Sequence, residues 1–303
     1  MLAASKVDIL KDRAAILRRS REFFHQRSIL EVDTPLLSPL ASVDEHIDLI
    51  SLEPEQGHTS YLVSSPEYAM KRLLAEGIGD CYQLSHVFRK GESGANHRPE
   101  FTLTEWYRLA VSFDAMIRET LDYMELFVGK KPVEEITYLE AFQKYLQIDL
   151  RQESYETLKK RVDERLVENI NDCLELLVSQ EIEPRFRPEC FTVLTHYPAT
   201  QAALANTLRL DNYEVALRFE IYHGGLELCN GYDELIDAAE QKRRLEEANR
   251  QRISRGKEPL PIDTDFLEAL EKGVPACCGV AVGFDRLMML RHQSEEIGKI
   301  LPY

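Results

Sequence analysis

Six cysteines are scattered through the 303 residues, none in a CxxC pair, and neither they nor the eight histidines fall at metal-ligand spacing. That argues against a disulfide framework or a zinc site and points to unpaired thiols in a reducing cytosol. The chain has no signal peptide and no apolar run long enough to span a bilayer. It also has no internal repeat and no low-complexity linker. Positive charge is in deficit: 37 Lys and Arg stand against 52 Asp and Glu, a formal net charge of −15. Nucleic-acid binders gain most of their affinity from a basic face that neutralises phosphates. Two basic runs do exist, 11–27 and 242–257. Both read as solvated helices, the second with Glu240–Arg244 and Glu246–Arg250 pairs at i,i+4 spacing. An acidic surface is compatible with a protein partner, and charge alone does not identify it.

What is present is concentrated in residues 88–107, FRKGESGANHRPEFTLTEWY. An arginine closes one apolar run, a polar Gly-containing loop follows, and an alternating run opens at Glu100, which predicts a hairpin with a long loop. Side chains two apart share a strand face, so Phe101, Leu103, Glu105 and Tyr107 line one side. With Arg89 on the neighbouring strand, this face suits a nucleotide and an amine. Read alone, Arg89 and Glu105 could equally form a structural ion pair.

A second segment, GVAVGFDR at 279–286, reads as a strand ending at Gly283 and running into a helix. Glycines at such a junction let a ligand approach the backbone closely. Arg286 falls in the first helical turn, where the dipole disfavours a cation unless an anion such as phosphate compensates it. In the third segment, 213–230, Gly224-Gly225 makes a two-residue hairpin turn. That register sets Tyr222 opposite Glu227 and Glu220 opposite Cys229, with Glu220 and Glu227 on one face. Two carboxylates beside the phosphates of a nucleotide would suit Mg²⁺; otherwise they are surface glutamates. Ser65-Pro66-Glu67 reads as a helix start with cap, N1 proline and dipole-favoured acid.

The remaining elements follow from pattern. Helices are expected at 66–76, 112–128, 138–146, most of 153–180, 237–255 and 263–272, and strands at 30–32, 61–63, 81–89, 100–109 and 190–197. Leu10, Ala14, Leu17 and Phe24 form the inward face of the first helix. Hairpins dominate, which favours an α+β fold with an antiparallel sheet over a doubly wound one.

These segments resemble the three motifs of class II aminoacyl-tRNA synthetases. Residues 13–35, a helix leading to a strand that ends at proline, resemble motif 1; the hairpin resembles motif 2 and GVAVGFDR motif 3. HRPEFTLTEWY and GLELCNGYDEL are most similar to lysyl-tRNA synthetases. Those enzymes carry an N-terminal anticodon-binding barrel, whereas only MLAASK precedes the first helix here. The resemblance therefore implies a single catalytic domain over 1–303 with no anticodon-binding domain, as in truncated paralogues. That branch implies attachment of (R)-β-lysine to a lysine of elongation factor P, with lysine itself as the related substrate.

The resemblance also implies residue roles. Arg89 would hold the α-phosphate and the substrate carboxylate, and Arg286 the γ-phosphate. Gly91, Glu92, His97, Phe101, Glu227, Leu228 and Gly283 would complete the ATP contacts, with Phe101 stacked on adenine. Glu220 and Glu227 would hold Mg²⁺. Ser65, Pro66, Glu67, Glu105, Tyr107, Asn230, Glu234 and Ala281 would contact the amino acid, and motif 1 would form a homodimer. Two departures stand out. Family motif 2 reads Arg-x-Glu, yet here Gly91 takes the third place and the acid follows at Glu92. Ala281 replaces the glycine of lysyl-tRNA synthetases, a change that could reshape the pocket toward a β-amino acid. Two alternatives stay open: a minimal adenylate-forming enzyme with an RNA or small-amine acceptor, and a non-catalytic regulatory domain.

Overall fold

A computed structural model describes residues 5–55, 58–210 and 213–302, and the chain divides into two compact units. One comprises the chain up to Gly129 and from Glu234 onward; the other runs from Lys130 to Asp233. The first unit opens with α1 (Lys6–Gln26), started by the Ser5 hydroxyl, which accepts from the Asp8 amide. Of the four residues that periodicity places inward, only Phe24 is buried. The buried face is instead Ile9, Arg13, Ile16, Ser20, Phe23 and Phe24. It is rotated because two polar residues on it have buried partners: Ser20 accepts from the Tyr123 hydroxyl at 3.0 Å, and Arg13 pairs with Asp285.

Short strands β1 (Leu30–Glu31), β2 (Leu37–Ser38), β3 (Ser51–Glu55) and β4 (His58–Leu62) precede helix α2 (Glu67–Ala75). Strands β2, β4 and β3 form a small antiparallel sheet. The expected hairpin appears as β5 (Cys81–Phe88) and β6 (Glu100–Leu109), closed where the Arg89 amide donates to the Pro99 carbonyl, and α3 (Phe113–Val128) follows. Between α1, β5, β6 and α3 lies an aromatic core. Phe24 stacks on Tyr82 with centroids 4.0 Å apart, and Trp106 and Tyr123 sit within 5.5 Å of it. Each such pair contributes about 0.5–1.5 kcal/mol beyond the area it buries.

In the second unit, β7 (Val133–Thr137) leads into α4 (Tyr138–Leu146), where Thr137 and Glu140 form a capping box. The expected long helix over 153–180 is broken into α5 (Tyr155–Lys159), a 3₁₀ turn, and α6 (Ile170–Leu177) continuing into a π-turn. Ser154, Asp163 and Asn169 each accept from backbone amides ahead of them, so each restarts the chain where an uninterrupted helix would run. Strands β8 (Phe191–Pro198), β9 (Thr207–Leu210), β10 (Tyr213–His223) and β11 (Leu226–Asp233) complete the unit. Here β11, β10 and β8 pair antiparallel, β9 flanks β10, and β7 joins β8 in parallel. Tyr138, Phe142, Leu174, Leu177, Ile182 and Leu194 lie in its core.

The chain then returns to the first unit with α7 (Ala238–Ser254), α8 (Thr264–Gly273), β12 (Cys277–Gly283) and α9 (Phe284–His292). Along α7, Glu240 pairs with Arg244 as expected, but Arg250 pairs with Glu247 rather than Glu246. β12 runs antiparallel to β6, and β1 joins β5 in parallel, giving the order β1-β5-β6-β12. The architecture is α+β with a largely antiparallel sheet flanked by helices, as the sequence predicts. Among the described residues, no helix is long and apolar enough to cross a membrane.

Candidate active site

Strands β6 and β12 form the floor of the site. Their register sets Gly283 opposite Leu103, Ala281 opposite Glu105 and Gly279 opposite Tyr107. The glycines and the alanine keep this face low, and at Gly279 nothing larger fits. A Cβ there would lie 2.3 Å from Glu234 Oε1 and 2.4 Å from Tyr107 Cε1. Against this floor stand the acids expected to contact an amino acid. Glu105 is buried and accepts from the Tyr107 hydroxyl and the Ser65 hydroxyl, each at 2.7 Å. It makes no pair with Arg89, which removes the structural ion-pair alternative.

Ser65 reaches Glu105 from the start of α2, and its oxygen also accepts from the Glu67 amide at 3.0 Å. Pro66 occupies the cap position itself rather than the first helical turn. The Ser-Pro-Glu cap is therefore displaced by one residue, with the Ser65 hydroxyl shared between helix start and site.

One residue of this pocket escaped the sequence reading. Lys71, one turn along α2 from Glu67, is fully buried, and its ammonium lies 2.7 Å from Glu67 Oε1 and 2.5 Å from Glu234 Oε2. The i,i+4 spacing from Glu67 was the available signal. Glu234 arrives from the loop after β11, its amide donating to the Cys277 carbonyl. It does not cap α7; Asp237 does. Burial works against the Lys71 charge, but the two carboxylates outweigh it and hold its pKa up. Glu105 is pushed up to about 7 by burial and by the charge of Glu67, against its two hydroxyl donors. Burial likewise pushes the Glu234 carboxyl up, with Lys71 opposing. With all groups ionised, three carboxylates face one ammonium, which leaves two negative charges in a buried pocket. Such a pocket is built for a ligand carrying two cations.

The nucleotide residues of the first unit gather at the open end of the same hairpin. The Arg89 guanidinium lies 5.1 Å from the Phe101 ring centroid and 3.7 Å from Glu92. Arg89 Nε is buried with no hydrogen-bond partner, an orphaned donor suited to a phosphate or carboxylate oxygen. Arg286, in the first turn of α9, donates to His97 Nε2 at 2.7 Å. Burial and the charges of Arg286 and Arg89 hold the His97 pKa down, so the ring is neutral and accepts. Gly91 has φ +80°, the left-handed region, which explains glycine at the third motif 2 place. The acid is then carried one residue on, where Glu92 faces Arg89. Gly283 is the cap residue of α9 and provides no side-chain cap.

Glu220, Glu227, Leu228 and Asn230 lie in the second unit on the β10–β11 hairpin. Tyr222 faces Glu227 as expected, but Glu220 faces Asn230 instead of Cys229, because a bulge at Leu228 shifts the register by one. Glu220 and Glu227 still share a face. Leu228, at the bulge, is buried. Glu220 accepts from Arg218 at 2.6 Å, from the Tyr197 hydroxyl at 2.7 Å and from the Tyr222 hydroxyl. Asn230 donates to the Tyr232 hydroxyl at 3.0 Å, and its buried Oδ1 lacks a hydrogen-bond partner. Two carboxylates on one hairpin face are the hard oxygen donors that magnesium prefers, so the donor set fits that ion. Among the described residues, no group of three or more His, Cys, Asp or Glu side chains could hold a metal.

Comparison with known proteins places the chain in a family. Residues 2–303 match the family described as tRNA synthetases class II (D, K and N). The elongation factor P–(R)-β-lysine ligase of Klebsiella pneumoniae is 40% identical, with 97% of this chain and 94% of that protein aligned. The ligase of the same name from Salmonella gallinarum is also 40% identical, over 99% of this chain and 96% of the relative.

Proposed function

The chain belongs to the class II tRNA synthetases, and from that premise we propose that it activates (R)-β-lysine with ATP and transfers it to a lysine ε-amine of elongation factor P. It is an ATP-dependent amino-acid ligase. The observation that carries the substrate is the pocket of Glu67, Glu105 and Glu234 around Lys71. (R)-β-lysine has two ammonium groups and one carboxylate, and the pocket's excess of carboxylates over ammonium suits such a substrate.

In the first step the substrate carboxylate attacks the α-phosphorus of ATP in line, forming the acyl-adenylate and expelling pyrophosphate. Protein groups contribute position and charge rather than covalent chemistry. Arg89 holds the attacking carboxylate and the α-phosphate, Phe101 stacks on adenine near His97, and Arg286 takes the γ-phosphate. Magnesium bound at Glu220 and Glu227 would neutralise phosphate charge. In the second step the acceptor lysine, deprotonated from its usual pKa of about 10.4, attacks the acyl carbon and AMP leaves. The product is an amide on the protein.

The single catalytic domain works as a homodimer through α1 and the proline strand that follows, in the cytoplasm, with a protein rather than tRNA as acceptor. α-Lysine has the same charge count, so discrimination against it falls to shape. The methyl of Ala281 opposite Glu105 can contribute about 1–3 kcal/mol, a factor of roughly 10–200. ATP–pyrophosphate exchange tests the reading. Exchange should be strongest with (R)-β-lysine, weaker with α-lysine, and absent with norleucine, which lacks the second ammonium. Equal exchange with norleucine would refute it.

A further inference from the structure

Among the described residues, Lys71 is the cation that the pocket's acids hold, and the adenylation steps above assign it no part. Its ammonium touches two of the three carboxylates that face the substrate, engaging Glu67 Oε1 and Glu234 Oε2. The third, Glu105, is held by Tyr107 and Ser65. Each acid is thus oriented by a donor of the protein before any ligand arrives.

The carboxylates around the Lys71 ammonium support a fixed charge against the burial that opposes it. Along α2 it faces Glu67, with Tyr68 beside it; from the loop after β11 comes Glu234; from β6 come Glu105 and Tyr107 beyond Glu67. From α8 the Phe266 ring lies 5.9 Å away, stacked on Tyr68. Arg72, next along α2, is engaged by Asp263 at 2.9 Å and leaves Lys71 to the pocket acids. Without Lys71, the buried carboxylates of Glu105 and Glu234 and the half-buried one of Glu67 would face one another without its counter-charge. Burial would then drive one of them to bind a proton.

We propose that Lys71 is a positioning residue for amino-acid selection: its ammonium aims Glu67 and Glu234 and favours their ionised forms, so that the pocket sheds fewer protons on receiving a diammonium substrate than it would without the lysine. Lys71 itself does not take part in adenylation. This rests on the amino-acid-binding reading of the pocket given above.

The test compares the full-length protein with Lys71→Met and with Glu67→Gln/Lys71→Met. Titration calorimetry of (R)-β-lysine binding in two buffers of different ionisation enthalpy counts the protons released. Lys71→Met should release about one more proton than wild type, because the extra proton held by the pocket must leave when the ammoniums enter. The acid limb of its kcat/KM profile should move to higher pH, and its amino-acid KM should rise at least about tenfold with the ATP KM unchanged. Removing one acid together with the lysine restores the charge count, so the double variant should return to the wild-type proton number. An unchanged proton count in Lys71→Met, or equal rises in both KM values, would overturn the proposal.

If both variants fail to fold, lysine-ammonium NMR on the wild type decides. A protected, slowly exchanging NH₃⁺ signal that shifts on (R)-β-lysine binding supports the role, and its absence defeats it. Failure of the wild type to exchange pyrophosphate with any diamino acid would instead remove the functional reading on which this rests.

Discussion

Gly279 shows how narrowly the pocket is set. A Cβ at that position would sit 2.3 Å from the Glu234 carboxylate and 2.4 Å from the Tyr107 ring, and both neighbours are buried and held. Gly279→Ala should cost about 1–3 kcal/mol through overpacking, read as a roughly 10–100-fold rise in amino-acid KM with little change for ATP. Protonation gives a second handle. Glu105 is pushed up to about 7 from an ordinary 4.5, so the folded, ligand-free protein binds a proton there that the unfolded chain has lost. Its contribution to stability is full below pH 4.5 and fades as pH rises through 7. Substrate binding runs the other way, since the ammonium needs the ionised acid. Amino-acid KM should therefore fall as pH rises toward 7 while ATP KM stays flat, and Glu105→Gln should abolish that slope. Steady-state kinetics from pH 5.5 to 8.5 checks both. The acids and arginines of the candidate site were named from the sequence because they fall in segments that resemble the family's motifs. Lys71 was not, because its meaning comes from Glu234, which lies far along the chain.

At the scale of elements, Asp285 joins three of them. Its side chain accepts from Arg13 of α1 and from the Thr102 amide of β6 at 2.7 Å, while Arg13 also donates to the Thr102 hydroxyl at 2.7 Å. Arg286 is the next residue, so this buried network fixes the start of α9 that presents it. Asp285→Asn leaves Arg13 buried with a weakened partner. It should destabilise the protein by about 3–5 kcal/mol and raise ATP KM more than amino-acid KM; denaturant unfolding and exchange kinetics measure the two effects. Asn169→Ala removes a capping box that includes no candidate site residue and should cost about 1 kcal/mol with exchange unaltered. The strands and helices that followed simple periodicity, β5, β6, α3 and α4, lie where the sequence places them. Errors came where a polar side chain overrode the period. Arg13 and Ser20 turned the face of α1, the caps at Ser154, Asp163 and Asn169 divided the 153–180 region, and the Leu228 bulge moved Glu220 by one register step.

For the whole molecule, the acidic composition favours the proposed protein acceptor over a nucleic acid, and the resemblance to motif 1 predicts a dimer. Sedimentation should find twice the chain mass. The central claim is transfer, and mass spectrometry of elongation factor P measures it directly. The factor is incubated with this protein, ATP, Mg²⁺ and (R)-β-lysine, with α-lysine and with tRNA in parallel reactions. The account predicts a mass gain of one lysyl unit on a single lysine of the factor, greater with the β-amino acid and with no charging of tRNA. Adenylate formation with an unmodified factor, or aminoacylated tRNA in its place, would contradict it.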